Sequence, residues 1–273
     1  MESNYSLSKH LRPREVAVHN AELFFGAVRA ATKRGEFLVH GVKRHGTKVT
    51  ANGLMLRRKI GDDATVDEVA RRGWAVDVDL KQASPLHAAL SAEKVDVFAD
   101  IKGAAATVAR LALPSWLQTG PLLWQASGSC GLADPSLARF HYFCWLDKPL
   151  TPGDMKCLMR YHNADLQAEG LSDTPHAPCD TALYQGVQPV YLCATFEGGH
   201  DPIATRFGVL ASKRPCSRAP AIETVARSIA DKPRDVVANG KGGYEPLPLD
   251  DISWPGQVDE RLALHGFHRR CCT

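Results

Sequence analysis

The sequence predicts an α+β fold, and three observations carry that expectation. Short apolar or alternating runs at Trp74–Leu80, Pro121–Ala126 and Arg139–Leu146 have the length and period of strands. Stretches with helical spacing lie around them, from Val16 onward, from Ser84 to Leu113, and from Met155 to Ala168. The 273 residues are 44% hydrophobic and 23% charged, enough to bury a core as one large domain or two small ones.

In chain order, residues 1–12 read as a loose tail. Pro13 suits a first helical turn, and Phe24, Ala27, Val28 and Ala31 then recur on one helical face. Glu36–Val42 and Gly53–Ile60 read as two strands joined by a basic hairpin loop. Thr65-x-x-Glu68 has the form of a capping box and Gly73 that of a C-cap, which predicts a short helix before the Trp74 strand. Ser84-Pro85 reads as N-cap and first residue of a helix that continues, with a break near Gly103, to Leu113, and Pro114 ends it. Thr151-Pro152 opens the next helix. Strands follow at Pro189–Thr195 and Thr205–Leu210, and a helix at Pro220–Ala230. Residues 232–273, rich in Pro, Gly and charge, read as a tail or peripheral extension. The expected division is therefore 1–35, a tail and helix; 36–212, the functional domain; and 213–273, the extension.

A net charge of +3 is too small by itself to argue for a nucleic-acid partner. No run of about 18 apolar residues predicts a membrane span, and the polar start lacks a signal sequence. A cytoplasmic protein with its eight cysteines reduced is the expectation. No Cys-x-x-Cys pair occurs. The looser set His176, Cys179, Cys193 and His200 fits no standard zinc spacing, so the cysteines are expected as scattered core residues.

The chemistry concentrates in two strands. In Trp74–Leu80, Val76, Val78 and Leu80 form an apolar face, which puts Asp77 and Asp79 together on the other. Two carboxylates about 7 Å apart repel one another, and burial strengthens the repulsion. Either they lie on a solvated face, or a cation neutralises them. Mg²⁺ or Mn²⁺, hard ions that take oxygen ligands, would do so. In Arg139–Leu146, alternation places Arg139, His141, Phe143 and Trp145 on one face. The strand follows the small-residue turn Ser127-Gly128-Ser129-Cys130-Gly131. Paired cationic groups beside a loop of hydroxyls and N–H donors suit an anionic ligand; a core histidine with an arginine at the edge gives the same pattern. The cations Lys43, Arg44, Lys48, Arg57 and Arg58 cluster in the predicted hairpin, either as a solvated surface or as a phosphate contact.

Taken in order, these pieces resemble the archaeo-eukaryotic primase superfamily, and within it the primase–polymerase domains of plasmids, phages and integrated elements. Asp77-Val78-Asp79 looks like its Asp-x-Asp motif. Ser127-Gly128-Ser129 with Arg139-Phe140-His141 looks like its Ser/His strand, and Asp180 like its lone third carboxylate, with Asp147 a rival. The resemblance covers residues 36–212. It implies an α/β module and a modified RNA-recognition-like module around a metal-binding cleft. It also implies a nucleotidyltransferase with Mg²⁺ or Mn²⁺ on Asp77, Asp79 and Asp180. His141, Arg139, Ser127 and Ser129 would contact a nucleoside triphosphate, with single-stranded DNA as template. Many relatives are fused to a replicative helicase, which this chain is too short to include. Two other classes use the same residues differently. A nuclease needs the carboxylates but not the Ser/Arg/His strand. A non-catalytic single-strand-binding replication protein would keep Asp77 and Asp79 as structural groups.

Overall fold

The computed structural model describes residues 10–56, 64–132, 134–192, 201–221 and the backbone of 264–269. The chain runs β1 (His10–Ala17), α1 (Ala21–Lys33), β2 (Glu36–Val39), β3 (Gly41–Lys43), β4 (Met55–Leu56), β5 (Val66–Glu68) and β6 (Arg71–Val78). It continues through α2 (Pro85–Ala92), α3 (Ile101–Ala112), β7 (Leu122–Ala126), β8 (Phe140–Leu150) and α4 (Pro152–Ala168). Last come β9 (Pro189–Tyr191), β10 (Phe207–Leu210) and β11 (Leu264–Arg269). This is an α+β protein. Its strands form a sheet of order β10-β7-β8-β6, a second of order β4-β1-β11-β2-β9, and the ribbon β3-β5.

The four-stranded sheet is the organising layer. Its even-numbered side chains, among them Trp74, Val76, Trp124, Phe140 and Tyr142, pack into one core with α2, α3 and α4. On its other face Ala75, Leu123, Phe143 and Trp145 meet Phe24 and Val28 of α1, Leu38 and Val190 of the second sheet, and Leu192 just after β9. The alternation read in the sequence is therefore real, but both faces are covered. Burying Phe143 completely contributes about 1.5–3 kcal/mol. Among the described residues no helix is long and apolar enough to cross a membrane.

Local signals placed several helices well. Ser84 caps α2 by accepting the His87 N–H, and Thr151 with Asp154 closes a capping box on α4. Other expectations are corrected. Pro13 lies inside β1, beyond the two residues that pair with β4, where a missing N–H is tolerated; α1 starts later, capped by Asn20. The break between α2 and α3 falls at residues 93–100, with Asp100 capping α3, rather than near Gly103.

The Thr65-x-x-Glu68 segment is strand, not helix. β3 takes up its backbone, the Thr65 hydroxyl donates to the Leu56 carbonyl, and Glu68 accepts the Gly186 N–H at 2.9 Å. Gly73 sits within β6, where the register shifts against β8. The predicted hairpin of β3 with β4 does not form: β3 pairs with β5, and β4 with β1. Residues 264–269, expected in a peripheral extension, form the strand between β1 and β2. The helix expected at Pro220–Ala230 lies outside the described residues from 222 on, as do Cys193 and His200.

Candidate active site

Register brings the polar residues of the four-stranded sheet into rows. Asp77 on β6 and Gln125 on β7 both face His141 on β8 as Cα partners, so three polar side chains lie abreast across three strands. One step along, Val78 pairs with Phe140, which leaves Asp79 and Arg139 as the next pair beyond the strand ends. His141 Nε2 stands 3.4 Å from Asp77 Oδ1, and Arg139 Nε 3.1 Å from Asp79 Oδ1. The Asp79 side chain is 57% exposed and that of His141 only 12%, so the corner opens towards Asp79.

Asp180 arrives from the segment after α4. The Asp180 N–H donates to the Asp77 carbonyl at 3.0 Å, and the Asp79 N–H to the Pro178 carbonyl at 3.1 Å. Asn163, buried on α4, holds that segment from behind, donating to the Cys179 carbonyl at 2.8 Å and accepting its N–H at 3.2 Å. The Asp180 side chain caps the 3-10 turn Thr181–Tyr184. The rival Asp147 is committed elsewhere: its carboxylate accepts the Ala219 N–H at 2.9 Å, and its own N–H reaches the Ser217 carbonyl.

The cationic side is equally built. Arg139 donates from Nε to the Leu80 carbonyl at 2.8 Å and from Nη1 to Ser129 Oγ at 3.0 Å. Ser127 Oγ and Ser129 Oγ are 3.4 Å apart. Arg206 lies under this loop, held by two bonds to Asp201 and donating to the carbonyls of Ala126 and Ser127. The N–H groups of Gly128 and Ser129 donate to no protein group among the described residues. Unpaired N–H groups beside a guanidinium are donors that an anion could use.

The electrostatics follow the geometry. Burial, reinforced by Asp77 and Asp180, raises the Asp79 carboxyl above its ordinary value, and Arg139 and Lys81 only partly offset this. For His141, burial favours the neutral ring, but the charge and hydrogen bond of Asp77, with Asp79 behind it, outweigh burial and raise the imidazole. Hard carboxylate oxygens that repel one another suit Mg²⁺ or Mn²⁺ in donor chemistry. As arranged, Asp77 and Asp79 are turned to His141 and Arg139, and no three His, Cys, Asp or Glu side chains among the described residues stand grouped as ligands.

The structure thus brings together Asp77, Asp79, Asp180, Arg139, His141, Ser127 and Ser129. Of the predicted basic cluster, Lys43, Arg44 and Lys48 are described. Lys43 and Lys48 are exposed, Arg44 pairs with Asp67 at 2.7 Å, and Arg57 and Arg58 lie outside the described residues. The β3–β5 ribbon nevertheless reaches the Asp180 segment, because the Gly41 N–H donates to the Gly186 carbonyl at 2.8 Å. Only glycine fits at 41, since a Cβ there would lie 1.9 Å from Val66 Cγ1 and 2.6 Å from the Gly186 oxygen. Sequence reasoning missed Gln125, Asn163 and Arg206. Gln125 carried a signal, as the one amide side chain in the apolar run Leu122–Ala126.

No protein-family model, curated protein or solved structure matches the chain.

Proposed function

We propose that the chain is a template-dependent nucleotidyltransferase of the primase–polymerase kind, adding nucleotides to a 3′-hydroxyl on single-stranded DNA. The two modules of an archaeo-eukaryotic primase core belong to the same proposal. One observation carries the reading: residues from three stretches distant in sequence meet at one corner, carboxylates on one side and unpaired N–H donors with Arg139 and His141 on the other. That opposition is what a phosphoryl-transfer site needs, since such catalysis is mainly positioning and charge neutralisation.

Asp77, Asp79 and Asp180 would hold Mg²⁺ or Mn²⁺, which supplies charge neutralisation and a lowered hydroxyl pKa. Arg139 offers its guanidinium to the triphosphate, and the Gly128 and Ser129 N–H groups accommodate phosphate oxygens. His141, buried beneath them, holds its proton against Asp77 and adds positive charge.

The reading is tested by supplying labelled nucleotides, a primed single-stranded template and Mn²⁺ or Mg²⁺. Extension with release of pyrophosphate supports it. Cleavage of the template without extension assigns the same corner to a nuclease, and metal-independent binding alone assigns it to a binding protein.

Arg139→Ala and His141→Ala are expected to weaken nucleotide binding more than template binding, by about 1.5–3 kcal/mol each for a lost charge-assisted hydrogen bond. Equal losses for both ligands would count against this pocket. For the template, Lys43 at the end of β3 and Lys48 in the loop after it are exposed cations. Changing both to Ala should flatten the dependence of oligonucleotide binding on log salt by about 1.4 units, at about 0.7 per phosphate contact. An unchanged slope would return the ribbon to an ordinary solvated surface.

A further inference from the structure

His87, Ser136 and Asp134 form a polar cluster outside the corner, and His87 and Ser136 are buried. His87 Nε2 stands 3.0 Å from Ser136 Oγ and 3.7 Å from Asp134 Oδ2, and Ser136 Oγ donates to Asp134 Oδ1 at 2.6 Å. By residue type the cluster suits a nucleophilic serine, which needs an unprotonated ring nitrogen facing its hydroxyl. The hydrogen bonds run the other way. The Ala83 N–H meets His87 Nδ1 at 3.2 Å. A backbone N–H can only donate, so Nδ1 holds the lone pair and the neutral ring carries its hydrogen on Nε2. Nε2–H then donates to Ser136 Oγ, whose own hydrogen goes to Asp134. The lone pair that a base would need is already taken.

Both ends of this chain of bonds lead to Arg139. Ala83 belongs to the exposed turn 81–83 that follows Leu80. Its φ of 62° lies in the left-handed region, which a residue with a Cβ keeps only where its surroundings hold it there. The same stretch presents the Leu80 carbonyl, which accepts from Arg139 Nε at 2.8 Å. On the other side, the Ser136 carbonyl accepts the Ala138 N–H at 2.8 Å, next to Arg139 in the chain. The buried imidazole therefore joins the turn after β6 to the loop before β8, and Arg139 binds to both.

We infer that His87, as a neutral ring with its hydrogen on Nε2, is a positioning residue for Arg139. Its Nδ1 holds the strained turn, and the turn aims the Leu80 carbonyl that orients the guanidinium. The inference rests on the nucleotidyltransferase reading for the use made of Arg139, but its first tests do not require activity.

The tests use the full chain labelled with ¹⁵N. The His87 ring resonances are assigned by their loss in His87→Asn, and the Arg139 Nε–H by its loss in Arg139→Ala. At neutral pH the native ring should show a hydrogen on Nε2 and a lone pair on Nδ1; a hydrogen on Nδ1 overturns the inference. His87→Gln keeps a donor at the reach of Nε2 but removes the acceptor at the place of Nδ1. The Ala83 N–H and the Arg139 Nε–H should then exchange with water about fivefold faster, the value of one neutral hydrogen bond. The Val97 N–H, which donates to the Pro135 carbonyl at 3.0 Å, should keep its native rate. Equal acceleration at Val97 would mean general loosening and overturn the positioning role. His87→Asn sets its oxygen near the place of Nδ1 and should keep the Ala83 N–H protected. An Ala83 or Arg139 signal indifferent to Gln, or released alike by Gln and Asn, overturns the assignment. If His87→Gln fails to fold, the native ring and the Asn variant decide.

In the extension assay, His87→Gln should raise the nucleotide KM about fivefold with little change in kcat, and His87→Asn should keep the native value. A native protein that incorporates no nucleotide removes the nucleotidyltransferase reading and leaves the hold of His87 on Arg139 to be judged by the exchange rates.

Discussion

Asp79→Asn is expected to lower nucleotide incorporation by about a thousandfold and, in metal-free protein at neutral pH, to raise the melting temperature. The first effect follows because an amide is a poor ligand for a hard cation, whose charge neutralisation is worth several kcal/mol in the transition state. The second follows from the raised carboxyl of Asp79, for which burial is the largest cause, with Asp77 and Asp180 adding to it. A carboxyl whose folded value lies above its unfolded value favours folding when protonated. Its contribution is fully present below the ordinary aspartate value of about 3.9 and is lost as pH rises through the folded value. At pH 7 the charged group is thus a burden that Asn removes. Melting curves of the two proteins should converge below about pH 4. Retained incorporation would remove Asp79 from the catalytic set. A less stable variant at pH 7 would mean that the ion pair with Arg139 outweighs the repulsion.

Asn163→Ala should cost about 3 kcal/mol of stability, measured by denaturant unfolding. Both the carbonyl and the N–H of buried Cys179 lose their partner, and no solvent reaches them. The same substitution frees the segment that ties Asp180 to Asp77. Incorporation should therefore fall by more than the loss of folded protein explains. Wild-type stability in the variant would show that the Pro178–Asp180 segment is held by its bonds to β6 alone.

The contrast between Asp79 and Asn163 shows what the sequence disclosed. Asp77, Asp79, Arg139 and His141 were legible because a strand's period of two fixes the face of each side chain once the strand is recognised. Their apolar neighbours made β6 and β8 recognisable. Pairing was not legible where strands are two or three residues long. β3, β4 and β5 carry too little pattern to choose partners, and the Thr65-x-x-Glu68 box looked the same whether its backbone went to a helix or to β3. Asn163, Gln125 and Arg206 act on backbone groups distant in sequence, and no local rule names such a partner. The Asp180 segment was found by its order along the chain, not by any pattern of its own.

The register of β8 also bears on the order in which the molecule assembles. Gln125 and His141 are 16 residues apart and pair in one local hairpin, which also carries Ser127, Ser129 and Arg139. Asp77 meets His141 across 64 residues, two doublings of loop length, and closing that loop costs about 1.2 kcal/mol more in chain entropy. The hairpin with its cations can therefore form first, and β6 then docks its carboxylates onto positive charge already in place. Asp180, bonded to Asp77, closes the corner only after β6 has arrived. Along this route the three carboxylates are not gathered before the groups that neutralise them, and the hairpin serves as a nucleus for the fold as well as one wall of the site.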